Sequence, residues 1–198
     1  MVPVDAEQIV MLREVLSTTG WLERTEQFGR ALRVTSRTPG GLLLVGTPGG
    51  DPWHLAAHLD DESRLGDVPG LAPTLVRWTP PADAPAHLRV GLERLEAARR
   101  GETLFVVAEE DAPVPLLERV DDARRVGATV LALDGGDKDL RGLAHEALTV
   151  PPDQPLISFD GAQHLVSAAA GQEPGRSPRG LRRRLAKLLD TVSGPVVE

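Results

Sequence analysis

Apolar runs that alternate with stretches of helical length constrain the fold of this chain most. The runs LLLV (42–45), TLFVVA (103–108) and ATVLALD (128–134) are typical of strands buried on both faces of a sheet. The segment PVPLLERVDDARRVG, which ends at Gly127, separates the last two and has the length of a helix. This alternation predicts parallel strands joined by right-handed crossovers. The predicted fold class is therefore α/β, a doubly wound parallel sheet flanked by helices.

Shorter signals predict the remaining elements. TLVRW (74–78) and the end of LTVP (148–150) are further candidate strands. Asp83 is a candidate N-cap for a helix with Pro85 in its first turn and Gly101 just past its end. A helical stretch is predicted over 5–35, and Gly20 divides it into two helices. Further helices are predicted over 51–63, 87–100, 138–147, 157–171 and 180–192.

Composition predicts a soluble cytoplasmic protein. The 198 residues suffice for one domain with its own core, and the absence of cysteine excludes disulfides, thiolate nucleophiles and cysteine-based zinc sites. No run approaches the ~18 apolar residues of a membrane span, and the first residues do not resemble a signal peptide. We therefore expect no membrane span.

Charge is unevenly distributed along the chain. The net charge of −7 and the 3% aromatic content argue against nucleic acid as a ligand. Residues from Arg176 onward carry +4 and the rest carry −11. The basic segment 180–192 has leucines near one face, so it is predicted to be an amphipathic helix that packs on its own domain, a second subunit, a partner protein or an anionic membrane surface.

Several stretches, taken in order, resemble the sugar isomerase (SIS) family, and within it the phosphoheptose isomerase type. GGLLLVGTPGG resembles the family's first strand and Gly-rich loop, and HLAAHL resembles the helix that follows. GETLFVVA leads to the position of the family's Ser-rich second loop. PLLERVDDARRVGATVLALDGG and LRGLAHEALTVP resemble its later helices and strands, and FDGAQHLV its C-terminal helix.

The resemblance implies an architecture and an assembly. It implies a five-stranded parallel sheet, N-terminal helices that pack between subunits, and a homo-oligomer, dimeric or tetrameric. The corresponding division of the chain is 1–36 for oligomerisation helices, 37–171 for the SIS-like domain, and 172–198 for a Pro- and Gly-rich linker and the basic helix.

The loops at the carboxyl ends of the strands decide function in such a sheet. The family holds a sugar phosphate there with hydroxyl groups and helix N-termini, but these loops offer only Thr47 as a hydroxyl. Acidic residues predominate instead. The candidate ligand-binding residues are Thr47, Gly49, Gly50, Asp51, Glu109, Glu110 and Asp111, followed in the third loop by Asp134, Asp137 and Asp139.

Two interpretations of the first two loops remain open. Asp51 before Pro52 favours an N-cap of the following helix, which would occupy the amides that a phosphate needs. Two alternatives remain for the acids Glu109, Glu110 and Asp111. They either lie in the first turn of a helix, where the helix dipole favours negative charge, or bind a cation, a polyamine or a basic segment such as Arg179 to Lys187.

Catalytic candidates follow from the resemblance and from spacing. His54 and His58 are four residues apart, a workable spacing for a divalent metal, and lie near the family's metal-binding His and Glu. Gln163 and His164 are the candidates on the C-terminal helix. We favour two histidines without a metal role, because two ligands without a third rarely make a site. Trp21, Trp53 and Trp78 are predicted core or interface residues, and Ser158 and Ser167 give only a weak hydrolase signal.

These observations predict an SIS-like domain that has lost most of its catalytic residues and acts as an oligomeric regulatory, scaffolding or ligand-sensing protein without a cofactor. The alternative is an active aldose/ketose phosphate isomerase that uses His54, His58 and Gln163 or His164 with a metal.

Overall fold

A computed structural model describes residues 20–83, 85, 88–152 and 157–172 of the chain. The predicted helix before Gly20, most of the linker after residue 171 and the basic helix at 180–192 lie outside the described residues.

Eleven helices and strands alternate along the described chain. The strands are β1 (Leu42–Gly46), β2 (Pro73–Val76), β3 (Thr103–Ala108), β4 (Thr129–Asp134) and β5 (Glu146–Thr149). The helices are α1 (Trp21–Thr35), α2 (Trp53–Leu65), α3 (Glu93–Glu96), α4 (Val114–Arg125), α5 (Lys138–Leu143) and α6 (Phe159–Ala170), with a 3-10 turn at Pro69–Leu71 before β2.

All five strands pair in parallel in the order β2-β1-β3-β4-β5, which confirms the predicted fold class. Leu42 pairs with both Pro73 and Thr103, and Leu104 pairs with Val130. The chain leaves β1 toward β2 on one side and reaches β3 on the other, so the strand order reverses between β1 and β3. Ligands of open α/β sheets bind at such a reversal.

Alternate residues of the strands face two separate cores, as the period of two requires. Leu42, Leu44 and Phe105 pack with α1, α2 and α6 on one face, where Phe28 lies 5.5 Å from Phe105 between ring centroids. Leu43 and Leu104 pack with α3, α4 and α5 on the other face. Burial on both faces explains why these strands are apolar without alternation.

The helix predicted over 87–100 is wrong for the described residues, where only the single turn α3 is helical. The cause is a sheet-like contact: Arg77 donates its amide to the carbonyl of Val90 at 2.9 Å and bridges in parallel to Gly91. The carboxylate of Glu93 then accepts the Gly91 amide at 3.1 Å. Asp83 lies ten residues before the helix that it was predicted to cap.

The predicted boundary between the helix at 138–147 and the last strand is also wrong. Helix α5 ends at Leu143, and β5 begins at Glu146. His145 holds this boundary, since its amide donates to the carbonyl of Val130 at 2.8 Å while its Nδ1 accepts the Val130 amide at 2.9 Å. The longest described helix, α1, has 15 residues, and no helix in the described part could cross a bilayer.

Helix α1 packs tightly against α6 at a glycine. A Cβ at Gly29 would lie 2.5 Å from Cβ of Ala169 and 2.8 Å from the backbone nitrogen of Ala170. Real Cβ atoms do not approach backbone so closely, so the two helices can only pack at this distance with glycine there.

Replacing Gly29 with alanine is expected to destabilise the protein by about 1–3 kcal/mol, because the helices must move apart. Gly142→Ala in α5 is the control, since its Cβ would meet nothing within 4 Å. That variant should be neutral or gain up to about 1 kcal/mol from helix propensity. Urea denaturation checks both, and equal stability of the two variants would contradict the packing.

Candidate functional site

A cleft of about 310 Å³ lies at the strand reversal between β1 and β3. The loop after β1, the loop after β3 and the first turns of α6 form its walls. Such a position is expected for the ligand site of a doubly wound sheet. Its lining consists of Thr47, Gly49, Gly50, Asp51, Pro52, Trp53, His54, Val107, Glu109, Glu110, Phe159, Asp160 and Gln163.

The first loop forms a tight turn that the glycines make possible. Thr47 and Gly50 form an antiparallel bridge, in which the Gly50 amide donates to the Thr47 carbonyl at 3.1 Å. A Cβ at Gly46 would overlap the Gly50 carbonyl oxygen, so glycine is required where the turn folds back. The Gly46 carbonyl accepts the indole N–H of Trp78 at 2.9 Å, which fastens the turn to the chain after β2.

Asp51 does not cap α2, so the predicted N-cap is wrong. The capping position is Pro52, no side chain caps this helix, and Asp51 Oδ2 instead lies 3.6 Å from Nε of Arg77. Arg77 sits at the end of β2, and its charge draws the carboxylate away from the helix. Apart from the Trp53 amide, which donates to the carbonyl of Asp51 at 2.9 Å, the first turn of α2 keeps amides that no side chain of the described residues accepts. They would favour an anion or another acceptor by about 0.3–1 kcal/mol.

The second loop keeps its acids outside the helix that follows. Helix α4 begins at Val114, three residues beyond Asp111, and has no acidic residue in its first turn. The prediction of a dipole-matched first turn at Glu109–Asp111 is therefore wrong. Glu109 and Glu110 are exposed on the cleft wall, and Asp111 lies in the same loop but outside the lining.

Two acids of the third loop hold the loops together. Asp137 caps α5 by accepting the amides of Asp139 at 2.9 Å and Leu140 at 3.1 Å. Its other oxygen accepts the Ala112 amide of the second loop at 2.8 Å. Because Asp137 is almost fully buried, these three hydrogen bonds fix the two loops relative to each other.

Asp134 lies fully buried at the end of β4. Burial raises the pKa of its carboxyl, although the amide of Gly136 at 2.8 Å, the hydroxyl of Thr149 at 3.2 Å and the more distant Arg141 act in the opposite direction. Asp134 and Asp137 are thus structural acids, and neither lines the cleft.

Helix α6 contributes polar side chains from its first two turns. Ser158 is its N-cap and accepts the Gly161 amide at 3.0 Å, while Ser167 donates to the carbonyl of His164 at 2.9 Å. Both hydroxyls have structural partners, which leaves no nucleophile signal at either. Asp160 and Gln163 face the cleft.

His58 and His164 pair with each other across α2 and α6 and do not line the cleft. Their ring centroids are 4.4 Å apart in an edge-to-face arrangement, and Nε2 of His164 lies 3.5 Å from Oδ2 of Asp160. Burial and the neighbouring His164 lower the pKa of His58, and a smaller lowering comes from His54. The charges of Asp61 and Asp160 oppose this shift.

The two histidines predicted as metal ligands have different ring partners. His54 packs on Trp53 with ring centroids 3.6 Å apart, whereas His58 packs on His164. In the described ranges no three His, Cys, Asp or Glu side chains form a group that could hold a metal ion. The absence of a metal role for these histidines, and the metal of the alternative, both stay predictions.

Sequence reasoning missed Arg77, the hydrogen bond of Trp78 to the first loop and the exposed face of Trp53, although Trp78 packs against one core as predicted. Trp21 is buried in the core as predicted, but Trp53 is 55% exposed beside the cleft. Arg77 and Trp78 follow β2, whose carboxyl end borders β1. The signal that could have identified them is their position after a parallel strand, the rule already applied to the other loops.

The fold was compared with known proteins. No family model and no curated protein matches the sequence. Solved structures do match: a presumed sugar binding protein from Salmonella typhimurium LT2 has a TM-score of 0.57 and 18% identity. A presumed phosphosugar isomerase from Silicibacter pomeroyi DSS-3 has a TM-score of 0.59 and 16% identity.

The chain has a phosphosugar isomerase-like fold. The match covers 92% and 94% of this chain but only 52% and 53% of the two solved chains, so the chain spans about half of their length. At these identities the likeness concerns the fold, which agrees with the resemblance to the sugar isomerases.

Asp137→Ala is expected to destabilise the protein by about 2–3 kcal/mol, because it removes a cap and leaves the buried Ala112 amide without an acceptor. Asp51→Ala is the matched control, since this half-exposed carboxylate caps nothing and its ion pair contributes about 0–1 kcal/mol. Chemical denaturation measures both free energies of unfolding. A larger loss in Asp51→Ala would contradict the assignment of the caps.

The lowered pKa of His58 predicts a pH dependence of stability. Below its ordinary pKa near 6.5 the unfolded chain binds a proton that the folded chain resists, so stability falls as pH decreases from about 7 to about 5. His58→Gln should reduce this loss by a few tenths of a kcal/mol, since the site is only partly buried. Denaturation of both proteins at the two pH values tests it, and an unchanged loss in the variant would contradict it.

Proposed function

We propose that this chain is a ligand-sensing or regulatory sugar isomerase-like protein that binds a sugar-type ligand in the cleft between β1 and β3 and does not isomerise it. The observation that carries the proposal is the composition of the cleft. In the described part of the chain its walls combine polar side chains and an exposed indole, but they include only two of the four side chains that the resemblance supplies for isomerisation.

The lining supports binding without tight phosphate recognition. Among the residues that the structure describes, Thr47 is the only hydroxyl-bearing residue of the lining, which holds no lysine or arginine from those ranges. Four carboxylates line the same space, from Asp51, Glu109, Glu110 and Asp160. A phosphate dianion within ~4 Å of a carboxylate meets several kcal/mol of repulsion at an effective dielectric constant near 20.

The separation of the catalytic candidates supports loss of activity. His54 and Gln163 line the cleft, but His58 and His164 pack on each other outside its lining. An acid and a base must both reach the substrate within hydrogen-bond distance to move a proton between adjacent carbons. Half of the set that the resemblance supplies lies outside the lining, and of the remaining pair only His54 can exchange a proton, since an amide cannot act as a general acid or base. The carboxylates of the lining could exchange protons too, but they are not the groups that the resemblance supplies for isomerisation.

An active isomerase is the second candidate, and one observation favours it. The first turn of α2 has no side-chain cap among the described residues, so its amides other than that of Trp53, which donates to the carbonyl of Asp51, remain available to a phosphate, as helix N-termini commonly are. His54 lies at this helix terminus and would be its base. One solved structure of this fold is described as a phosphosugar isomerase.

The assembly and the partners of the protein are part of the same proposal. We expect a homo-oligomer in the cytoplasm, with the basic segment 180–192 available for a second subunit or a protein partner. Residues 1–175, at −11, are complementary in charge to this segment.

Thermal melting of the purified chain with sugars and sugar phosphates, with and without zinc, separates the candidates. A ligand at 100 times its dissociation constant adds about 2.7 kcal/mol to the stability of the folded state. We expect a shift with at least one sugar and no isomerisation of it in a coupled assay. Turnover that is lost in His54→Ala would establish the isomerase instead, and no shift with any sugar or sugar phosphate would overturn ligand binding altogether.

A further inference from the structure

We propose that the ligand of this cleft is an amino sugar whose amine is protonated and which carries no phosphate. This inference rests on the proposed function, because it names the chemical class of the ligand that the same cleft binds. Three features of the cleft support it: two carboxylates without an ion-pair partner among the described residues, the exposed indole of Trp53, and backbone amides at the start of α2 that have no side-chain acceptor there.

The charges of the cleft favour a cation. Asp51 is paired with Arg77 at 3.6 Å, and Asp160 lies 3.5 Å from His164. Glu109 and Glu110 have no ion-pair partner among the residues that the structure describes, and both are exposed on the cleft wall. An ammonium group there would form charge-assisted hydrogen bonds with carboxylates that are otherwise only hydrated. A phosphate would meet the same carboxylates with the opposite sign.

The indole of Trp53 provides a flat surface for a ring. Its side chain is 55% exposed although it begins a helix beside the cleft, and the ring of His54 packs against it at 3.6 Å. An aromatic face buries the apolar C–H face of a sugar ring and also attracts a neighbouring cation. Val107 and Phe159, both buried, add apolar wall. At about 310 Å³ the cleft is at the small end of ligand sites, which suits a single sugar ring.

The uncapped start of α2 needs acceptors that a sugar can supply without a phosphate. The Trp53 amide donates to the carbonyl of Asp51, and no side chain of the described residues accepts the amides that follow it in the first turn. Sugar hydroxyl oxygens accept hydrogen bonds from backbone amides as well as donate to carboxylates. The hydroxyl groups of an amino sugar can therefore accept hydrogen bonds from the helix amides, and its ammonium group can donate to the carboxylates of Glu109 and Glu110. Its ring can pack on the indole of Trp53.

Calorimetric titration of the full chain at about pH 6, where an amine stays protonated, tests the inference. The probes are D-glucosamine, D-glucose, N-acetyl-D-glucosamine and D-glucosamine 6-phosphate. We expect D-glucosamine to bind about tenfold more tightly than each of the other three, because only it has the charge without the phosphate. The preference over D-glucose should decrease at high salt, since exposed charges are screened.

Variants test the two walls separately. The double change Glu109→Gln and Glu110→Gln should abolish the preference for D-glucosamine over D-glucose while D-glucose binding stays. Asp111→Asn is the control, because Asp111 lies in the same loop outside the cleft lining. Trp53→Ala should weaken every sugar about tenfold. Leu65→Ala, at an exposed position at the other end of α2, is its control and should leave binding unchanged.

The outcomes separate this inference from the proposed function. Equal binding of D-glucose and D-glucosamine, or tighter binding of the 6-phosphate, overturns the amino sugar and leaves sugar binding in place. A preference that survives the double glutamine change equally overturns the role of Glu109 and Glu110. No binding of any of the four compounds overturns both.

Discussion

Burial of β1 and β3 on both faces is the constraint on which the rest of this structure depends. Their side chains are almost entirely removed from water, so both sets of helices must remain in place for either strand to be stable. The connection after β1 leads to one side of the sheet and the connection after β3 leads to the other. The loops after these adjacent strands therefore cannot close over the carboxyl ends of the two strands. The cleft is a consequence of that topology, and its chemistry depends on which residues the two loops carry.

The loops after β3 and β4 carry acids of two kinds, which differ in their burial and in their hydrogen-bond partners. Asp134 and Asp137 are buried and accept amide or hydroxyl hydrogen bonds that fix the loop framework. Glu109 and Glu110 are exposed on the cleft wall and are held by no cation among the described residues. The first kind explains how an acid-rich edge can be stable, since each buried carboxylate has donors. The second kind determines the charge that a ligand meets.

Local sequence was enough to predict a parallel α/β sheet, because three apolar runs that alternate with helical stretches leave few alternatives, while the number of five strands came from the resemblance. It failed where a tertiary contact overrode a local preference. The pairing of Val90 with Arg77 prevented a helix, and the same Arg77 attracted Asp51 away from the N-cap. The first two loops that the sequence singled out line one cleft, but the exposure of Trp53 and the separation of His58 from His54 depend on side-chain packing that spacing alone does not specify.

The central claim is that the cleft between β1 and β3 is where this protein binds a sugar. A titration of the isotope-labelled chain with D-glucosamine, followed by the amide signals in two-dimensional NMR spectra, tests it most directly. The account predicts that the amides of Gly49, Gly50, Trp53 and Glu110 shift together with the indole N–H of Trp53. The amides of Gly41 and Glu102, at the amino ends of β1 and β3, should stay unchanged. Shifts confined to the amino ends of the strands, or no shifts at saturating sugar, would contradict sugar binding in the cleft.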